Sequence, residues 1–135
     1  MERVKRYMLD TNMVSHLIKK HSAVMPRLES IPMSSICVSS VTEGELLFGL
    51  AKRPDSTRLR RVVHEFLLRA DVLPWDTHVA QEYGTLRAEL ERTGQPLAPM
   101  DLMIASHARC VDAILVTNDG VFAHVPHLKF EDWTL

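Results

Sequence analysis

Short apolar runs alternate along the chain with longer stretches in which apolar residues recur at helical spacing. The short runs predict strands over Arg6–Leu9, Ile36–Ser39, Val72–Leu73, Ala113–Val116 and Leu128–Phe130. The longer stretches predict helices over Met13–Lys20, Thr42–Ala51, Ser56–Arg69, His78–Thr93 and Met100–Cys110. Because strands and helices alternate through short connections, the pattern predicts an α/β fold in which helices flank a small parallel central sheet.

The composition is that of an ordinary soluble domain. Its 135 residues predict one domain over residues 1–135, since domains typically contain about 100–150 residues. Cys37 and Cys110 are the two cysteines and lie outside any C-x-x-C spacing, so neither a disulfide framework nor a zinc site is indicated. No apolar segment has the length of a secretory signal or a membrane span. We therefore expect a cytoplasmic protein without a membrane segment.

The charge of the chain limits how it can meet nucleic acid. General nucleic-acid binders are usually basic, whereas this chain carries a net charge of −1. Any contact with RNA would therefore depend on a local basic patch or on a metal ion. The basic residues that cluster in the sequence are Lys19, Lys20, Lys52, Arg53, Arg58, Arg60 and Arg61. They either hold RNA phosphates or form a solvated helix face, and the sequence leaves both interpretations open.

Four acidic residues follow short apolar runs: Asp10, Glu45, Asp101 and Asp119. Each one alone also fits a structural role as a turn residue, a helix cap or a surface charge. In a parallel sheet, however, the carboxyl ends of the strands share one edge, where ligands bind. Carboxylates gathered there repel one another unless their pKa values rise or a cation lies among them. Oxygen ligands favour a hard cation such as Mg²⁺ or Mn²⁺.

The segments around these residues carry a family resemblance. YMLDTN, SSVTEGELLFG, PMDLMIASHA and ILVTNDGVF follow one another in an order and spacing that resemble the PIN-domain ribonucleases. Among these, the chain looks most like the VapC-type toxins of bacterial toxin–antitoxin pairs. The resemblance extends from Tyr7 to Trp133 and covers nearly the whole chain. It implies a PIN-like three-layer α/β/α fold and a single nuclease domain.

The resemblance also assigns site residues. The acidic catalytic site would consist of Asp10, Glu45, Asp101 and Asp119. The E-L-x-x-G pattern of the family matches Glu45 and leaves Glu43 outside. We interpret Asp10 and Asp101 as direct ligands of Mg²⁺ or Mn²⁺, with the other two carboxylates binding a second ion or holding water. Hydroxyl and amide groups that would orient these ligands are those of Thr11, Asn12 and Thr117.

The activity implied by the resemblance is hydrolysis of structured RNA of the tRNA or rRNA type by a metal-activated water. Such cleavage leaves 5′-phosphate and 3′-hydroxyl ends. The resemblance further implies a cognate VapB-type antitoxin that neutralises the enzyme, and a homodimer of the toxin.

Three other interpretations compete with this one. A receiver-like signalling module also has a Mg²⁺ pocket, with Asp76 as its phosphoacceptor, but it requires paired acids after the first strand and a late lysine, which are not found here. A PIN-like module could bind RNA or a partner without cutting. A metal-independent ribonuclease could use a histidine pair such as His124 and His127, and would leave cyclic phosphate ends.

Overall fold

The fold is built on one parallel five-stranded sheet. A computed structural model describes residues 5–135, so residues 1–4 of the predicted domain lie outside the described part. The strands are β1 (Tyr7–Leu9), β2 (Ile36–Ser39), β3 (Asp71–Leu73), β4 (Ile114–Val116) and β5 (Phe130–Glu131). Their order is β3-β2-β1-β4-β5, and every neighbouring pair is parallel. The predicted parallel sheet is confirmed.

Six α-helices surround the sheet within the described residues. They are α1 (Thr11–Ile18), α2 (Val24–Glu29), α3 (Ser40–Ala51), α4 (Thr57–Arg69), α5 (Thr77–Arg92) and α6 (Pro99–Cys110). The five predicted helices are present, but α1 and α3 each begin two residues earlier than predicted, because Asp10 and Ser39 cap them. The prediction missed α2, which has no side-chain cap and is too short to show a helical period.

The core has two parts, one on each face of the sheet. Within β1, Leu9 packs with α1, α3 and α4, whereas Met8 packs with α5 and α6. Val116 and Leu115 of β4 divide between the two faces in the same way. Strands covered on both faces are apolar throughout instead of alternating, which explains the short continuous apolar runs. The predicted three-layer α/β/α arrangement is therefore confirmed.

No helix among the described residues is long and apolar enough to cross a membrane.

Candidate active site

The candidate site lies at the edge of the sheet where the parallel strands end. β1 ends at Leu9 and is followed by Asp10, while its neighbour β4 ends at Val116 and is followed by Thr117 and Asp119. The Asp10 N–H donates to the Val116 carbonyl at 3.1 Å. The Asp119 N–H donates to the Thr117 hydroxyl, also at 3.1 Å. Because β1 and β4 pair in parallel, both aspartates lie at the same end of the sheet.

Asp10 is buried and both caps a helix and faces other carboxylates. Its Oδ1 accepts a hydrogen bond from the Met13 N–H at 2.8 Å, which caps α1. Burial raises the pKa of Asp10 above its ordinary value, because the charged form loses its water. Hydrogen bonds from the Thr117 hydroxyl and the Met13 N–H lower this pKa, while repulsion from Asp101 and Asp119 raises it further. Asp10 therefore caps α1 and also contributes negative charge to the site.

A cavity of about 190 Å³ joins three of the four predicted carboxylates. Its lining consists of Asp10, Thr11, Asn12, Val41, Glu45, Met100, Asp101, Ile104 and Phe122. These residues come from the end of β1 and from α1, α3, α6 and the 3₁₀ turn after β4. The fold thus brings together carboxylates from three distant segments, as well as the hydroxyl and amide of Thr11 and Asn12.

Asp101 reaches the cavity from the first turn of α6, which begins at Pro99. Burial raises the pKa of Asp101, and repulsion from Asp119 adds to the effect. Asp119 itself is not part of the cavity lining, and its Oδ1 accepts the Val121 N–H at 3.1 Å to cap the 3₁₀ turn Gly120–His124. Asp119 therefore lies next to the cavity and acts on its carboxylates through charge.

Of the two glutamates of α3, only Glu45 lines the cavity. Residues two apart on a helix point in nearly opposite directions, about 200° around the axis. Glu43 therefore cannot face the same cavity as Glu45. This geometry agrees with the motif-based choice of Glu45.

The donor set of the cavity fits a hard cation. Its carboxylate, hydroxyl and amide oxygens are the ligands that Mg²⁺ and Mn²⁺ prefer. Across residues 5–135, no three His, Cys, Asp or Glu side chains are gathered closely enough to hold an ion by themselves. Mg²⁺ keeps several waters and typically uses one or two carboxylates, so it does not require three such side chains at one point.

Comparison with known proteins identifies the family. The PIN-domain model matches residues 7–128. The tRNA(fMet)-specific endonuclease VapC of Shigella flexneri is 40% identical over 130 residues, which cover 96% of this chain and 98% of that protein. The chain belongs to the PIN-domain family, among the VapC ribonucleases. PIN-domain ribonucleases generally depend on divalent metal ions, in keeping with the donor set of the cavity. The receiver-like alternative is therefore wrong.

Solved structures of VapC relatives share the whole fold. A chain of the DNA-bound VapBC complex of Salmonella typhimurium matches with a TM-score of 0.89 and 39% identity, covering 96% of this chain and 99% of that one. A chain of VapBC2 from Rickettsia felis, bound to a promoter DNA fragment, matches with a TM-score of 0.86 and 34% identity, covering 94% and 98%. The shared fold therefore extends over nearly all of both chains in each comparison.

His107, which was not among the predicted site residues, is a fully buried residue of α6 that contacts the amino end of α3. Its Nδ1 lies 2.7 Å from the Oγ of Ser39, which in turn accepts the Val41 N–H and caps α3. Since α3 carries Glu45 and α6 carries Asp101, this hydrogen bond fixes the two carboxylate-bearing helices to each other. The helical period of α6 indicates that His107 is buried, but only the structure reveals its partner.

We expect His107→Leu to lower the free energy of unfolding at neutral pH by about 1–3 kcal/mol, because it leaves the buried Ser39 hydroxyl without this partner. Burial lowers the pKa of His107, against an opposing effect of Asp76. The folded state thus favours the neutral ring, and stability falls as the pH drops below the ordinary value of about 6.5, where the unfolded chain takes up the proton. Urea denaturation at several pH values measures this dependence.

In that experiment, the stability difference between wild type and His107→Leu should shrink as the pH falls from neutral toward 5. The control is His64→Leu, which changes an exposed histidine of α4 and should have little effect. A difference that stays constant with pH would contradict the assignment of a neutral buried imidazole.

Proposed function

We propose that this PIN domain is an endoribonuclease that cleaves structured RNA of the tRNA class, using Mg²⁺ or Mn²⁺. The observation that carries the proposal is the joint exposure of Asp10, Glu45 and Asp101 to one cavity at the carboxyl edge of the sheet. Burial, and after it repulsion between neighbouring carboxylates, raises the pKa values of Asp10 and Asp101, and a bound cation would stabilise their charged forms. The 40% identity to a tRNA(fMet)-specific endonuclease favours tRNA over other RNAs.

The polar residues in and beside the cavity have proposed roles. Asp10 and Asp101 hold the cation, since both carboxylates line the cavity and Asp101 repels the charge of Asp10. Thr117 holds the Asp10 carboxylate in place through its hydroxyl. Glu45 and Asp119 hold and orient water next to the scissile phosphate, and Glu45 takes up a proton from the attacking water. Thr11 and Asn12 hydrogen-bond to the same water or to phosphate oxygens.

A divalent cation in this cavity would make water more acidic and offset charge on the phosphate. The protein contributes the negative charges that retain the cation and a partly enclosed cavity that orients the phosphodiester. Because water attacks, the 2′-hydroxyl is not required as a nucleophile. The products then carry 5′-phosphate and 3′-hydroxyl ends.

The test is incubation of the purified protein with total tRNA and rRNA in the presence of Mg²⁺ or Mn²⁺, compared with EDTA. We expect cuts that depend on the metal and that yield 5′-phosphates, which a 5′-phosphate-dependent exonuclease detects. Cleavage that persists in EDTA and leaves cyclic phosphates would favour a histidine pair and contradict the proposal. Cuts confined to rRNA would support the ribonuclease activity but contradict the proposed tRNA substrate class. Absence of cleavage by folded protein would favour the non-catalytic PIN-like module.

Glu45→Gln should reduce the cleavage rate at least about 100-fold, because it removes a proton acceptor that faces the cavity. Glu43→Gln is the matched control, since it makes the same chemical change in the same helix outside the cavity, and its rate should stay within about twofold of wild type. Initial rates on total tRNA measure both. The reverse result, with Glu43 required and Glu45 dispensable, would show that the wrong face of α3 has been assigned to the site.

We also propose that the protein acts in the cytoplasm as a homodimer and is neutralised by a cognate VapB-type antitoxin. The structural relatives from Salmonella typhimurium and Rickettsia felis are VapBC complexes. This chain carries large exposed apolar side chains on α3 and α4, namely Leu47, Phe48 and Leu68, which are suited to burial in protein interfaces. Co-expression with its antitoxin should yield a stable complex that no longer cleaves RNA.

A further inference from the structure

A basic groove lies beside the acidic cavity. It is a cavity of about 450 Å³ formed by the end of α1, the loop after α3 and the first turns of α4. Four cationic side chains line it: Lys19, Lys20, Arg53 and Arg58. We call this set, with the cavity between them, the basic groove. Since the whole chain carries a net charge of −1, this concentration of positive charge is local.

The four cations of the basic groove have no ion-pair partners among residues 5–135. Elsewhere in the described part of the chain, carboxylates pair with Arg6, Arg27, Arg69, Arg87, Arg109 and Lys129. Four unpaired cations around one cavity repel each other, so a bound polyanion would lower their energy. What distinguishes the groove is that four such cations line one cavity.

The first turn of α4 adds to the positive potential. Ser56 lines the groove and caps α4, because its Oγ accepts the Leu59 N–H at 3.3 Å. The amino end of a helix carries a partial positive charge and favours phosphate groups nearby. The 13-residue α4 thus directs its positive end toward the same space as the arginines.

A middle cavity connects the basic groove to the acidic cavity through shared lining residues. This middle cavity of about 240 Å³ shares Thr11 and Glu45 with the acidic cavity. It also shares Lys19 and Arg53 with the basic groove. The three cavities therefore follow one another along α1 and α3, which gives a polymer chain seated at the carboxylates a path to the cations.

We propose that the basic groove binds the sugar–phosphate backbone of the RNA substrate on one side of the cut. This inference rests on the proposed ribonuclease function and adds the path of the substrate. Lys19, Arg53 and Arg58 contact phosphates, while the apolar floor at Leu59 and Val62 packs against sugars or bases. Phosphate contacts position RNA without reading its sequence, so their loss weakens binding of all tRNAs alike.

The test compares Arg53→Gln/Arg58→Gln with a control that loses the same charge elsewhere, Lys5→Gln/Arg92→Gln. Lys5 and Arg92 are exposed cations that line none of the three connected cavities. The measured quantity is the Kd for total tRNA in EDTA, where cleavage cannot interfere, at several salt concentrations. Cleavage of the same tRNA by wild type with Mn²⁺ is recorded in parallel, and circular dichroism confirms that each variant is folded.

We expect the groove variant to bind tRNA at least about tenfold more weakly at 0.1 M salt. The slope of the logarithm of its binding constant against the logarithm of the salt concentration should be smaller in magnitude by about 2, while the control changes little. An equal loss in the control would mean that only net charge matters and would overturn the proposal. Unchanged tRNA binding by the folded groove variant would overturn it too, and would leave the groove to a protein partner. If wild type does not cleave but the groove variant alone loses binding, the RNA path stands and the ribonuclease assignment fails.

Discussion

Asp101→Asn is expected to reduce metal-dependent RNA cleavage by about 10³-fold, the largest effect on activity that we predict. Asparagine preserves the size of the side chain and one oxygen, but removes the charge that retains a divalent cation beside Asp10. The loss of one such electrostatic contribution costs several kcal/mol of transition-state stabilisation, and about 4 kcal/mol corresponds to three orders of magnitude. Initial cleavage rates of total tRNA with Mn²⁺ measure the effect.

The same substitution should leave the protein folded, with a melting temperature at pH 7 in EDTA equal to or above that of wild type. Burial and the charge of Asp119 raise the pKa of Asp101, so the folded state disfavours the ionised carboxylate. Ionisation therefore costs stability as the pH rises above the ordinary value of about 3.9, and asparagine removes this cost. Below that pH both states of the wild type are protonated, and the difference should disappear.

Asp71→Asn is the matched control for Asp101→Asn. Asp71 is the first residue of β3, at the amino end of the strand, and forms an exposed ion pair with Arg6. Loss of this ion pair should lower the free energy of unfolding by at most about 1 kcal/mol and leave cleavage unchanged. A large loss of activity in Asp71→Asn would indicate that any disturbance of the fold abolishes cleavage. Full activity in Asp101→Asn would remove Asp101 from the site.

Trp133→Ala is expected to lower the free energy of unfolding by about 3–5 kcal/mol, because it removes a fully buried indole from the core. The centroid of its ring lies 5.7 Å from that of the Tyr7 ring, and the Arg27 guanidinium lies 5.7 Å from the same indole centroid. Its Nε1–H donates to Glu131 at 3.1 Å. The indole therefore links the last residues of the chain to β1, which carries Asp10 at its end.

Chemical denaturation measures the free energy of unfolding of Trp133→Ala and of Leu135→Ala. The comparison shows whether the effect of Trp133→Ala comes from the loss of a buried side chain or from a change near the last residue. Leu135 is 94% exposed, so its replacement should change the free energy of unfolding by less than about 0.5 kcal/mol. A cost below about 1 kcal/mol for Trp133→Ala would show that the C-terminal segment does not contribute to the core as described.

The sequence predicted the parts of the site that depend on local signals. Asp10 follows an apolar run and precedes a helix, so its place at a strand end is encoded within a few residues. The orientation of Glu45 is different. α3 is apolar on several sides, with Leu46 and Leu50 buried but Leu47 exposed, so its periodicity alone does not show which side faces the site. The motif that matches the family supplied the choice.

Features that depend on contacts between distant residues could not be predicted from the sequence. The hydrogen bond between His107 and Ser39 joins residues 68 positions apart, and nothing near either residue signals the other. The basic residues were visible as a cluster, but not as a groove that leads to Glu45, because this requires the packing of α1, α3 and α4. Asp119 was predicted at the site, yet its carboxylate caps a turn beside the cavity.

We propose that the acidic cavity holds the cation with which this PIN domain cuts RNA. The binding of Mn²⁺ to wild type and to Asp101→Asn, measured at pH 7 from the electron paramagnetic resonance signal of free Mn²⁺, tests this claim. We predict saturable binding by wild type that is weakened at least about tenfold in Asp101→Asn, in parallel with the loss of cleavage. Equal Mn²⁺ affinity of the two folded proteins would contradict the claim.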